Sequence, residues 1–133
     1  MRCLLDRPLI VPNLYKPLVN AASMASTVTS PVSCINRIPG ISYDLAWTGT
    51  PTGTFAVQVS NTYSQDANGN VINAGNWNTL PTSSFTGTYP APAGSPGNGF
   101  LDVVGTEAAY VRLVYTPSGG AGNLTVVCAA KVL

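Results

Sequence analysis

Ile41-Ser42-Tyr43-Asp44-Leu45-Ala46-Trp47, then Thr48-Gly49-Thr50-Pro51-Thr52-Gly53, then Thr54-Phe55-Ala56-Val57-Gln58-Val59-Ser60 is the stretch that decides the fold. Ile41, Tyr43, Leu45 and Trp47 alternate with Ser42, Asp44 and Ala46. Phe55, Val57 and Val59 alternate with Ala56, Gln58 and Ser60. A period of two puts one set of side chains on each face of a strand, so both runs read as half-buried β-strands. The six residues between them are turn formers. The whole is expected to form an antiparallel hairpin.

Downstream the same grammar repeats. Gln65-Asp66-Ala67-Asn68-Gly69-Asn70 is a polar loop whose Asn-Gly pair suits a tight turn with positive φ. Asn76-Trp77-Asn78-Thr79-Leu80 reads as a short strand, and residues 81–99 as a long surface loop of Pro, Gly, Ser and Thr. Strands are expected over 100–104, 109–116 and 123–132. In the second of these, Val111, Leu113 and Tyr115 oppose Tyr110, Arg112 and Val114. No run has helical periodicity. About seven short strands separated by turn signals predict an all-β fold, an antiparallel β-sandwich of jelly-roll or Ig-like type, over residues 25–133.

Residues 1–24 read differently. Pro8, Pro12 and Pro17 interrupt Leu9-Ile10-Val11, Leu14-Tyr15 and Leu18-Val19, which rules out a long helix or a central strand. An extended apolar N-terminal arm is expected, lying on its own domain or on a neighbouring subunit. Leu9, Ile10, Val11, Leu14, Tyr15 and Leu18 are its candidate interface residues.

Composition narrows the function. The chain has 133 residues, 45% of them hydrophobic, enough for one domain with a core of its own. Only 8% are charged, against about 25% in typical soluble domains. Thr, Ser, Asn and Gly take the place of charges, as suits either a surface that becomes an interface or one that works in bulk solvent outside the cell. The six basic residues (Arg2, Arg7, Lys16, Arg37, Arg112, Lys131) are scattered and the net charge is +1. Nucleic acid and anionic membrane surfaces both need clustered cations, so neither is an expected partner. No apolar run approaches the roughly 20 residues of a membrane span. Asp6, Arg7, Pro8 and Pro12 break the apolar run near the start, so secretion through this segment is not expected.

The chemistry of sites is equally sparse. With no histidine, a Ser-His-Asp or Cys-His device is impossible. Asp102 and Glu107 are the one carboxylate pair considered for glycoside hydrolysis, and solvated strand ends explain them better. Asp66 to Asn70 has its glycine too early for a calcium loop, and Trp77 stands where the closing glutamate belongs. Asn123-Leu124-Thr125 matches the glycosylation pattern by coincidence. Cys3, Cys34 and Cys128 have no zinc spacing and read as buried free thiols. No catalytic residue, metal site or cofactor is expected. Trp77, flanked by asparagines, and Arg112, in mid-strand, are the surface-contact candidates. Arg112 either faces solvent or pairs with an acid across a subunit contact.

The run from Trp47 to Asn61, with Asn76 to Leu80, Tyr110 to Thr116 and Gly119 to Thr125, resembles a β-sandwich module of tailed-bacteriophage virion proteins. The likeness covers about residues 41–131 and consists of strands and turns. It implies a non-enzymatic structural protein of the virion, made in the host cytoplasm: a capsid decoration or cement protein. Its implied partners are the major capsid protein or other virion proteins, in a homo-oligomer or high-copy assembly. A tail or head-fibre component, or a carbohydrate-binding module with Trp77 in its platform, is the alternative.

Overall fold

A computed structural model describes residues 13–35, 40–81, 85–86, 91–104 and 108–131. Among them lie twelve strands and no helix. Six are long: β1 (Asn13–Ser23), β4 (Gly40–Trp47), β5 (Thr52–Ser60), β10 (Gly97–Val104), β11 (Tyr110–Gly119) and β12 (Asn123–Lys131). Six are stubs of two or three residues: β2 (Val28–Thr29), β3 (Ser33–Cys34), β6 (Ser64–Gln65), β7 (Val71–Asn73), β8 (Asn78–Thr79) and β9 (Phe85–Thr86).

All pairings are antiparallel. The first sheet, sheet A, runs β1-β12-β4-β10-β9, and the second, sheet B, runs β2-β11-β5-β8 with β3 also on β11. With β2 and β3 taken as one interrupted strand, and β6, β7 and β9 set aside, eight strands remain. Their order is first-eighth-third-sixth in sheet A and second-seventh-fourth-fifth in sheet B. This is the jelly roll, two Greek keys wound into a sandwich.

The core lies between the sheets, as the alternation requires. Ile41, Tyr43, Leu45 and Trp47 of β4, Val57 of β5, Leu101 and Val103 of β10, Val111, Leu113 and Tyr115 of β11, and Leu124, Val126 and Cys128 of β12 form one buried cluster. Truncating a leucine such as Leu113 to alanine in such a core costs about 2–5 kcal/mol. Ser30 bridges the gap between β2 and β3. Its N–H donates to the Leu113 carbonyl and its hydroxyl accepts from the Leu113 N–H, both at 2.8 Å.

The hairpin expected of residues 41–60 does not form: β4 lies in sheet A between β12 and β10, and β5 lies in sheet B between β11 and β8, so the turn joining them crosses between sheets, as does the β11–β12 turn. Thr48 and Thr50 N–H groups donate to the carbonyls of Asn123 (3.0 Å) and Ala121 (2.8 Å), so the β4–β5 and β11–β12 turns are zipped together. Gly97 lies under Trp47, where an added Cβ would come within 2.7 Å of the indole.

Within the stretch read as an extended arm, residues 13–23 form β1, the first strand of the jelly roll, paired with β12 from Asn13↔Lys131 to Ser23↔Asn123. Pro17 is tolerated because β1 is an edge strand, with register breaks on either side of Val19. The loop over 81–99 contains β9, and β10 begins at Gly97 rather than Phe100. The strand count exceeds seven because the stubs are too short to show a period. Finally, Cys34 is disulfide-bonded rather than a free thiol, while Cys128 is a buried thiol outside any disulfide.

Candidate interaction surfaces

With no helix over them in the described residues, both sheets present an outer face. On sheet B, alternation sends Tyr110, Arg112 and Val114 of β11 outward, beside Ala56 and Gln58 of β5. Arg112 and Gln58 are cross-strand partners, and Gln58 is partner to Thr79 of β8. The segment between β5 and β8 folds back onto this face and brings Tyr63 and Trp77 with it.

There the side chains interlock. Tyr63 packs edge-on to Tyr110 (5.3 Å between centroids) and tilted against Trp77 (5.8 Å). Val32, Cys34 and Ala109 complete this smaller cluster. The Arg112 guanidinium sits 4.1 Å from the Trp77 ring centre. Arg112 Nε–H donates to Gln58 Oε1 at 2.8 Å, and Gln58 Nε2–H donates to Thr79 Oγ1 at 3.5 Å. Trp77 Nε1–H donates to the Ala74 carbonyl at 2.9 Å. Partial burial draws the Arg112 pKa down from its ordinary value, but an arginine stays charged at any physiological pH.

This arrangement alters the role read for Trp77. It is half-buried, one face is taken by Arg112, and its N–H is used by Ala74. It fixes Arg112 in place rather than offering a bare ring for a sugar to stack on.

On sheet A, Ser42, Asp44 and Ala46 of β4 face outward between Thr125, Val127 and Ala129 of β12 and Asn98, Phe100 and Asp102 of β10. Val127, Asp44 and Phe100 lie on one line across the three strands. An open groove of about 420 Å³ is lined by Asp44, Ala46, Asn98, Phe100, Thr125 and Val127. Phe100 is 39% exposed.

A third feature lies within the segment between β5 and β8. The hairpin β6–β7 carries Val71 and Ile72, 57% and 70% exposed. Its turn is tied by Asp66, whose Oδ1 accepts from Asn68 N–H and Asn70 N–H, both at 2.9 Å. The backbone N–H of Asn70 above all, with that of Asn68, holds the Asp66 carboxyl below its ordinary pKa. Asp66 therefore closes a turn, as its neighbours in sequence suggest.

The remaining site candidates fall as follows. Leu9, Ile10 and Val11 lie outside the described residues. Leu14 and Tyr15 are in β1, opposite Ala130 and Ala129. Leu18 packs half-buried against the chain's own core, the first of the two places the arm reading allowed. Asp102 stands half-buried on β10 opposite Ser42 and Thr86, and Glu107 lies outside the described residues. Among the described residues, no group of three His, Cys, Asp or Glu is placed to hold a metal. Sequence reasoning missed the Phe100 groove and the Val71–Ile72 pair; the even spacing of Asn98, Phe100 and Asp102 was the signal for the first.

No family model matches the chain, and no curated protein matches it. Among solved structures it is similar to the SPBc2 prophage-derived protein YomS, over 94% of this chain and 98% of that one, with 13% identity and a TM-score of 0.40. At that distance the likeness says nothing of function.

Proposed function

We propose that this chain is a structural component of a bacteriophage particle, a capsid decoration or cement protein that binds the head shell through its β surfaces and the residues ahead of β1. The role is one of fit, with no bond-making step. The observation that carries the reading is where large apolar side chains reach solvent. Val71 and Ile72 on β7 and Phe100 in the groove stand among mostly polar side chains, with Asp66 at the hairpin turn and Asp44 in the groove the charges beside them. Exposed apolar groups rimmed by polar ones, with few charges among them, are what a docking surface needs, since they gain burial while few ions are desolvated. The sequence pattern shared with tailed-phage virion modules supports the same reading. So does the jelly roll, an architecture common among viral capsid domains, although a fold alone hosts many functions.

Co-sedimentation with purified shells tests this directly. The wild-type chain is expected to pellet with shells, and Val71→Ser/Ile72→Ser to bind about tenfold more weakly while keeping its melting temperature. Equal binding by both, or none by the wild type, counts against the proposal.

A further inference from the structure

Charges are scarce in this chain, so the position of each one matters. Arg112 has five N–H donors, and Nε is given to Gln58. Its four Nη–H donors meet no carboxylate among the described residues. The stack on Trp77 and the Gln58 contact hold the guanidinium on the outer face of sheet B in one geometry, so little side-chain entropy is left to lose on binding. On the opposite side of the sandwich, Asp44 is exposed in the sheet A groove between Phe100 and Val127. No described residue donates a hydrogen bond to it.

We infer that these two faces meet in an assembly of like chains: sheet B of one copy docks on sheet A of the next, with Arg112 pairing to Asp44 of that neighbour. Charge complementarity selects the second copy as occupant, since the chain carries both halves of the pair on opposite outer faces. The groove supplies the rest, because apolar walls at Phe100 and Val127 exclude water and strengthen a two-point guanidinium–carboxylate contact. A contact between two different faces is heterologous, so it propagates into a ring or filament rather than stopping at a closed dimer. This inference stands apart from shell binding. A chain that ignores shells but self-assembles leaves it intact, and a monomer that binds shells contradicts it alone.

Sedimentation velocity over a concentration series reads the outcome. Wild type is expected to form species beyond the dimer, weakening as salt rises. Arg112→Asp and Asp44→Arg are each expected to weaken association about thirtyfold or more. A one-to-one mixture of the two variants, like the double variant, restores it, because each acid then faces an arginine across every contact. Asp44→Arg added in small amount to wild type should shorten the assemblies, since it docks by its Arg112 face and offers no site for the next copy. This last arm holds even if Arg112→Asp fails to fold. A wild type that is monomeric or stops at a dimer, single variants that associate like wild type, or a mixture that restores nothing overturns the proposal. So does a monomeric chain that binds carboxylated glycans through Arg112.

Discussion

The guanidinium of Arg112 lies 4.1 Å from the centre of the Trp77 ring, joining a central strand of sheet B to the segment that folds over it. A cation stacked on indole is worth about 0.5–2 kcal/mol depending on exposure. Here the contact also fixes the direction of a charge with no acidic partner among the described residues.

Trp77→Ala should therefore lower stability by about 2 kcal/mol, combining the lost stack with lost packing on Tyr63. Arg112→Lys should cost about 1 kcal/mol, because an ammonium cannot keep both the stack and the Gln58 contact. Urea denaturation measures both. On a glycan array Trp77→Ala should behave as wild type, because the covered ring is no sugar platform.

At Gly97, the added methyl of Gly97→Ala would strike the Trp47 indole at 2.7 Å. Trp47 is pinned by Nε1–H donation to the Ser95 carbonyl at 3.0 Å, so relief requires moving a core ring or breaking that bond. A loss of about 1–3 kcal/mol is expected, with a red shift of tryptophan emission as the ring gains solvent. Unchanged stability and emission would show that the ring is free to yield.

Tyr43 and Tyr115 each bury a hydroxyl with no partner. Tyr43→Phe or Tyr115→Phe removes a desolvated polar group and should stabilise the fold by about 1 kcal/mol. Burial, with the neighbouring Cys128 as a smaller cause, pushes the Tyr43 pKa far above its ordinary value of 10.0. The folded state thus holds its proton where the unfolded chain releases it. That contribution is complete below pH 10, and stability declines as pH rises beyond it. Alkaline unfolding should begin above about pH 10, and Tyr43→Phe should move its midpoint to higher pH. An unmoved midpoint would mean that Tyr43 does not drive the transition.

Truncation separates the arm from the fold. In a Cys34→Ser background, which keeps its disulfide out of the comparison, deletion of residues 1–12 should leave the jelly roll folded and weaken shell binding. Deletion of residues 1–22 removes most of β1, including buried Val19, and should abolish cooperative melting. Equal melting of the two would show that β1 is dispensable.

Legibility followed element length and regularity. β4, β5, β11 and β12 were readable because six or more residues alternate without a break in each. β1 was misread because Pro17, two register breaks and a positive φ of 52° at Ala21 disrupt its period. The stubs β2, β3 and β9 form because long neighbours pair with them, a tertiary cause with no local trace. The Cys34 disulfide was hidden by an odd cysteine count. Trp77 and Arg112 were each singled out by residue type and setting, but their contact depends on how the segment after β5 folds back. The Phe100 groove was missed because outward neighbours on β4, β10 and β12 come from three distant parts of the chain.

Above all, this chain is proposed to be a building part of a virion. Quantitative mass spectrometry of gradient-purified particles, from a phage that encodes the chain, tests that most directly. The account predicts the intact polypeptide in many copies per particle, at a fixed ratio to the major capsid protein. Its absence from purified particles, with the chain recovered only in the soluble lysate, would contradict it.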